Sequence, residues 1–309
     1  MAGRDQAGQD DGFSLSQPSG NPPPRCWLRD IAFGNDGALN ELDQLHPVER
    51  IDMRTRRDVS AHVTAVFGFL IGSVLATGSM AAEEIPSPGK QVGWAFRSQE
   101  DKRHSCRYLI FLPRSYTAKG KPSPLLLFLH GSGERGNDLQ LVKKHGPPKL
   151  VDTRPDFPFV VVSPQVRPGR QFDAPALLAL LDHLQASFNV DKKRTAVTGL
   201  SMGGAGTWAV ANAAPARFSA IVPICGTATI DPKQFLSLPT WVTVGGKDKP
   251  NLVASLQKTV ADLRNRKAPI RFTLYPQLGH NCWDATYDNP QLYTWLLKQS
   301  TDKRPRKTK

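Results

Sequence analysis

The chain has 309 residues, 39% of them apolar and 22% charged, with 25 Gly and 26 Pro. That balance excludes a collagen-like, membrane-embedded or wholly disordered protein and leaves enough apolar material for a packed core. The net charge is +13, and because residues 1–82 hold 7 basic against 10 acidic side chains, the remaining 227 residues carry +16. Such a charge attracts acidic partners in general, but no RNA-recognition signature, finger spacing or basic-aromatic stripe points to nucleic acid. The four cysteines, Cys26, Cys106, Cys225 and Cys282, are too few for a disulfide scaffold. They form no C-x-x-C pair, which argues against structural zinc and thioredoxin-like redox chemistry.

In chain order, residues 1–52 are rich in Gly, Pro, Asn, Asp and Ser and lack a sustained apolar period. They are expected either to be disordered or to precede the true start of translation at Met53. From there Arg54, Arg56 and Arg57, a mostly apolar run over 61–76 and the small residues at 79–82 have the three-part layout of a signal peptide. A membrane anchor is the alternative, but the run falls short of the roughly 20 residues needed to span. The expectation is therefore a signal peptide over 53–82, a protein exported to the periplasm or beyond, and no membrane span after processing. The folded part is then 83–302, followed by a solvated basic tail over 303–309.

Beyond residue 83, short β-rich runs alternate with helical ones. Strands are predicted at Val92–Arg97, Tyr108–Leu112, Leu125–Leu129, Phe159–Val162, Ala196–Thr198, Ala220–Ile224, Trp241–Val244 and Arg271–Leu274. Several are continuous apolar runs, as expected of strands covered on both faces. Leu177, Leu181 and Leu184, and later Leu252, Leu256, Val260 and Leu263, repeat at helical spacing and read as core-facing stripes. The alternation predicts an α/β fold: a mostly parallel, doubly wound sheet of about eight strands with helices on both faces. The short link over 98–107 predicts an antiparallel hairpin at the edge. Ligands of such a sheet sit beyond the carboxyl ends of its strands.

The strongest local pattern, Gly199-Leu200-Ser201-Met202-Gly203, is a G-x-S-x-G between the strand ending at Thr198 and the helix-like Thr207–Val210. Small residues at 199 and 203 let strand and helix close around a strained turn that lifts the Ser201 hydroxyl above the sheet. A hydroxyl attacks carbonyls only when a base takes its proton, and in this arrangement acid and base follow the serine along the chain. Of the seven histidines only His280 lies beyond Ser201, so the base is His280. Asp231, Asp248 and Asp262 are the acids in between. Asp262 falls mid-helix and Asp231 precedes a proline as a turn or cap, whereas Asp248 follows Trp241–Gly246 at a strand's carboxyl end and is the choice for the orienting acid. Lys247 and Lys249 beside it would favour its ionised form.

An oxyanion formed by attack needs aimed donors: the amide of Met202, after the serine, and one from the loop His130–Gly136, where the Ser132 amide is the candidate. That loop also reads G-x-G-x-x-G, the dinucleotide fingerprint. It follows the third strand rather than opening a βαβ unit, and the cofactor reading leaves Ser201, Asp248 and His280 unexplained.

With these residues placed, the span from about 83 to 299 resembles the α/β-hydrolase superfamily, in its branch of secreted esterases and predicted peptidases. Feruloyl-esterase-like, dienelactone-hydrolase-like and polyhydroxybutyrate-depolymerase-like proteins belong there. The resemblance rests on His130–Gly136, Thr198–Gly204, Gly245-Gly246-Lys247-Asp248 and Gly279-His280-Asn281-Cys282-Trp283. It implies Ser201 as nucleophile, His280 as general base, Asp248 as its partner, Ser132 and Met202 as oxyanion donors, and no metal or organic cofactor. One departure is Gly245-Gly246, where many relatives have His-Gly. The expected activity is hydrolysis of small or polysaccharide-linked esters through an acyl-enzyme. Peptide hydrolysis by the same groups is the enzymatic alternative, and a non-catalytic fold binding polysaccharide or protein is the other. Phe172 and Trp283 either line the acyl pocket or belong to the core. Cys225 and Cys282 are placed to approach each other, as a disulfide tethering the histidine loop or as two thiols.

Overall fold

Leu125–Leu129 is apolar at five successive positions, and all five side chains are fully buried. A strand has two faces, so such a run is stable only where both are covered. In the computed structural model, which describes residues 85–304, this strand is β3 (Ser123–Leu129), central in an eight-stranded sheet. Across the sheet the order is β1 (Gln91–Phe96), β2 (Cys106–Phe111), β4 (Val160–Pro164), β3, β5 (Val190–Leu200), β6 (Ala220–Ile224), β7 (Thr240–Gly245) and β8 (Ile270–Tyr275). The pairs β1–β2 and β2–β4 are antiparallel and all others parallel, so the predicted edge hairpin is present.

Successive strand residues point to opposite faces. Phe128 meets Tyr287 of α5 (Trp283–Tyr287) edge-to-face at 5.8 Å and lies against Gly146, the first residue of α1 (Gly146–Val151). Its neighbour Leu129 lies against Gly206 of α3 (Met202–Ala213). Helices therefore cover both faces. Helix α2 (Ala174–Ser187) begins where the Asp173 carboxylate accepts the Ala176 amide at 3.1 Å, and it buries Leu177, Leu180, Leu181 and Leu184. Helix α4 (Pro250–Asn265) buries Leu256, Val260 and Leu263, three of the four residues of its predicted stripe, and leaves Leu252 half-buried. Each such burial contributes roughly 1.5–3 kcal/mol before entropy is counted.

The structure departs from expectation in three places. Strand β5 starts at Val190, six residues before Ala196. Its first part carries a bulge against β3, where Asp191 accepts the Lys193 amide at 2.9 Å and Arg194 Nε at 2.7 Å, and this charged stretch hides the strand from an apolar pattern. Helices α1, α5 and α6 (Pro290–Leu297) are five to eight residues long, too short to show a helical period. Of the tail expected to be solvated, Lys303 is exposed but Arg304 is docked. Lys303 ends a 3-10 turn capped by Ser300, Asp302 pairs with Lys193 at 2.9 Å, and Arg304 donates to the Pro215 carbonyl at 2.9 Å. The expected disordered start (1–52), the signal segment (53–82) and residues 305–309 lie outside the described residues.

Candidate active site

Ser201 is the only residue between β5 and α3. A chain reverses from strand to helix over one residue only by straining it, and Ser201 sits at φ 52°, ψ −112°. The flanking glycines are required sterically. A methyl group on Gly199 would strike the Gly203 carbonyl, and one on Gly203 would strike the carbonyls of Leu129 and His130. The turn is pinned by the Ser201 amide on the Ile224 carbonyl at 2.9 Å and by the Ala205 amide on the Ser201 carbonyl at 3.0 Å.

Asp248 and His280 arrive on two segments joined backbone to backbone. The Gly246 amide donates to the Tyr275 carbonyl at 2.8 Å and the Lys247 amide to the Leu278 carbonyl at 2.9 Å. Gly245 has no space for a side chain, because the carbonyls of Leu278 and Gly279 occupy it. This accounts for its place in the Gly245-Gly246 departure. The outcome is a continuous line: His280 Nε2 lies 2.9 Å from Ser201 Oγ, and His280 Nδ1 lies 2.7 Å from Asp248 Oδ2. The other carboxylate oxygen accepts the Lys249 amide at 2.7 Å. Since a carboxylate only accepts, Nδ1 carries the proton of the neutral imidazole, and Nε2 is left as the acceptor for the serine hydroxyl. The Asp248 side chain is 1% exposed and that of His280 43%, so the line runs from a buried anion to an imidazole that solvent can reach.

Lys247 and Lys249 are exposed and form no ion pair with Asp248 among the described residues; amide and imidazole donors hold this carboxylate instead. Asp231 caps the turn Pro232–Phe235 and Asp262 pairs with Arg266 within α4, so neither takes part.

Ser132 opens the 3-10 turn Ser132–Glu134 and Met202 opens α3. At the first position of a helical turn the N–H has no partner inside the turn, which is what an oxyanion donor requires. The two loops abut, with Arg135 Nε 3.1 Å from Met202 Sδ. The glycines of the fingerprint lead into 3-10 turns, Ser132–Glu134 and Leu139–Lys144, rather than a helix whose N-terminus could receive a pyrophosphate.

His130 was not singled out in the sequence and anchors this loop. It is fully buried. Its Nε2 accepts the Val166 amide at 3.0 Å, so the proton is on Nδ1, which donates to the Gly131 carbonyl at 2.6 Å. Burial depresses its pKa from 6.5 to about 4. Phe172 stands edge-on to His130 at 5.0 Å and lies against Gly206, so it supports the loop from the core side. Trp283 meets His280 edge-to-face at 5.6 Å, beside the reacting groups.

Cys225 and Cys282 come together, both buried, as free thiols rather than as a disulfide. Contact with Cys282, together with burial, pushes the Cys225 thiol pKa up. Cys225, Asp248 and His280 form the one group with metal-ligand separations among the described residues, within 4.8 Å. Within it the Asp248 carboxylate and the His280 imidazole already bind each other.

Residues 161–289, which include Ser201, Asp248 and His280, match the model of the dienelactone hydrolase family. A solved thermostable esterase is 26% identical, with a TM-score of 0.59 over 69% of this chain and 64% of its own length. A ferulic acid esterase (20% identity, TM-score 0.53, 67% of this chain and 98% of that one) shares the fold. So does a fluorophosphonate-binding serine hydrolase of Staphylococcus aureus (17%, 0.52, 68% and 99%). No curated protein sequence matches.

The buried His130 sets a pH dependence. Its folded pKa lies below the unfolded one, so between pH 6.5 and about 4 the unfolded chain binds the extra proton. Stability is fully kept above that window and falls as pH is lowered through it, by on the order of 3 kcal/mol in the limit. Urea midpoints measured from pH 7 to 4 are expected to drop less steeply in His130→Gln than in the unmodified protein; equal slopes would show that this histidine does not resist protonation.

Proposed function

We propose that this chain, an α/β-hydrolase carrying a dienelactone hydrolase family domain, is a serine carboxylesterase acting through an acyl-enzyme. The observation that carries the reading is the unbroken hydrogen-bond line from Asp248 through His280 to a serine held in a strained turn. Strain at a non-glycine residue persists only where the surroundings impose it, and here it serves to present the hydroxyl. A purely binding role gives no account of that expense.

In the proposed reaction Ser201 Oγ attacks the ester carbonyl carbon as its proton passes to His280 Nε2. Asp248 holds the imidazole on Nδ1 and stabilises the imidazolium that forms. The carbonyl oxygen, now an anion, is met by the amides of Ser132 and Met202. Collapse of the tetrahedral intermediate breaks the bond to the alcohol oxygen, which leaves with the proton from His280. Water then gives a proton to His280 as its oxygen attacks the acyl carbon; the bond from that carbon to Ser201 Oγ breaks, Oγ takes the proton back from His280, and the acid leaves. The partly exposed His280 favours an open cleft that admits small esters or esters attached to a polysaccharide. Export by the signal peptide over 53–82 belongs to the same reading and is tested by N-terminal sequencing of the mature protein.

Ser201→Ala is expected to lower kcat for a p-nitrophenyl ester by about 10⁴-fold or more, and Asp248→Asn by about 10³- to 10⁴-fold. Thermal melts should remain cooperative in both. Turnover by Ser201→Ala at the unmodified rate would overturn the proposal. Acetyl, feruloyl and longer acyl esters assayed beside short peptides identify the acyl group and decide ester against peptide.

A further inference from the structure

His145 lies outside the line of Asp248, His280 and Ser201, yet three groups around the site converge on it. Its position is fixed from behind. It is the residue before α1, and the following Gly146 has φ +65° and sits against Phe128 and Tyr287, with no room for a side chain. Its imidazole faces the site. The indole Nε1–H of Trp283 donates to His145 Nδ1 at 3.2 Å, the rings meeting at 5.4 Å and 63°. Asp284 Oδ1 is 3.7 Å from the same nitrogen, and Glu134 Oε1 is 4.0 Å from Nε2.

These contacts assign the tautomer. An indole N–H only donates, so Nδ1 is the acceptor and the proton of the neutral ring is on Nε2, the nitrogen 4.0 Å from Glu134 Oε1. Glu134 is buried and ends the 3-10 turn that Ser132 opens. His145 thus touches the histidine segment through Trp283 and the oxyanion segment through Glu134.

Trp283 is the residue that turns this into a matter of catalysis. The indole stands edge-to-face on His280, at 5.6 Å and 89°. His280 is hydrogen-bonded to Asp248 through Nδ1 and to Ser201 through Nε2; both bonds lie in the ring plane, so rotation of the ring about the line joining them is limited by what packs beside it. With much of the imidazole open to solvent, the indole is a lateral support, and its nitrogen is held by the hydrogen bond to His145.

Building on the esterase reading above, we propose that His145 is a positioning residue for the reaction. It holds the Trp283 indole against His280 and so keeps Nε2 on the Ser201 hydroxyl. It does not touch substrate, so its loss acts on alignment of the proton transfer and not on binding. Misplacement of a reacting group by about 1 Å can lower the rate about 100-fold, so a smaller tilt of the base is expected to lower it about tenfold.

The test compares kcat and KM on a neutral p-nitrophenyl ester for His145→Leu, His145→Asn, Trp283→Phe and the double variant His145→Leu/Trp283→Phe. The Asn carbonyl takes the place of Nδ1 as acceptor. Expected are a fall in kcat of about tenfold for His145→Leu at unchanged KM and kcat within about twofold of the unmodified protein for His145→Asn. The double variant should be little worse than either single one, because both break the same contact. An unchanged kcat in His145→Leu, a change in KM alone, no recovery in His145→Asn, or multiplying losses in the double variant would each overturn the proposal. If His145→Leu does not fold, His145→Asn against Trp283→Phe still decides: equal losses contradict the role assigned to the acceptor. Failure of the esterase reading itself is distinct, since the unmodified protein would then show no turnover for these variants to change.

Discussion

Everything at the site depends on how closely β5, α3 and the end of β3 approach one another. The carbonyls of Leu129, His130 and Gly203 occupy the volume that side chains would need at positions 199 and 203. Only with hydrogen there can α3 begin immediately after the strand, and only then is Ser201 forced to positive φ with its hydroxyl above the sheet. The strain is local, and it is held by a central sheet whose apolar residues are buried on both faces.

Around that turn the remaining groups are delivered in pairs. Asp248 and His280 come on adjacent segments beyond β7 and β8, joined by backbone hydrogen bonds, so the distance between carboxylate and imidazole is set before side chains are considered. Ser132 and Met202 each stand at the first position of a helical turn, where amides have no internal acceptor. His130, buried and held by Val166 and Gly131, keeps the first of these loops in place without meeting solvent. Two histidines near one site therefore have opposite duties. In the proposed reaction His280 exchanges protons, while burial suppresses protonation of His130.

The parts legible in the sequence were those with a local signature or a forced choice. Leu125–Leu129 announced a central strand, and the G-x-S-x-G stood between a strand and a helix. His280 was the only histidine beyond Ser201, and position along β7 separated Asp248 from Asp231 and Asp262. What escaped was tertiary. The early start of β5 was masked by the charged bulge over 191–194, and α1, α5 and α6 were too short to show a period. His145 and Glu134 gain meaning only because α1 and the turn after β3 meet α5 in space, 138 residues separating His145 from its partner Trp283. The Cys225–Cys282 encounter was foreseen as proximity, but proximity does not decide between a disulfide and two thiols; the structure has two free thiols.

The central claim is that the hydroxyl at the β5–α3 turn is the nucleophile. The most direct measurement is reaction of the native protein with a phosphonylating serine reagent, followed by intact mass and peptide mapping. The account predicts a single adduct, on the peptide containing Ser201, formed by the folded protein and suppressed when His280 is replaced by Ala. Labelling of a different residue, or labelling of Ser201 that is as fast without His280 as with it, would contradict it.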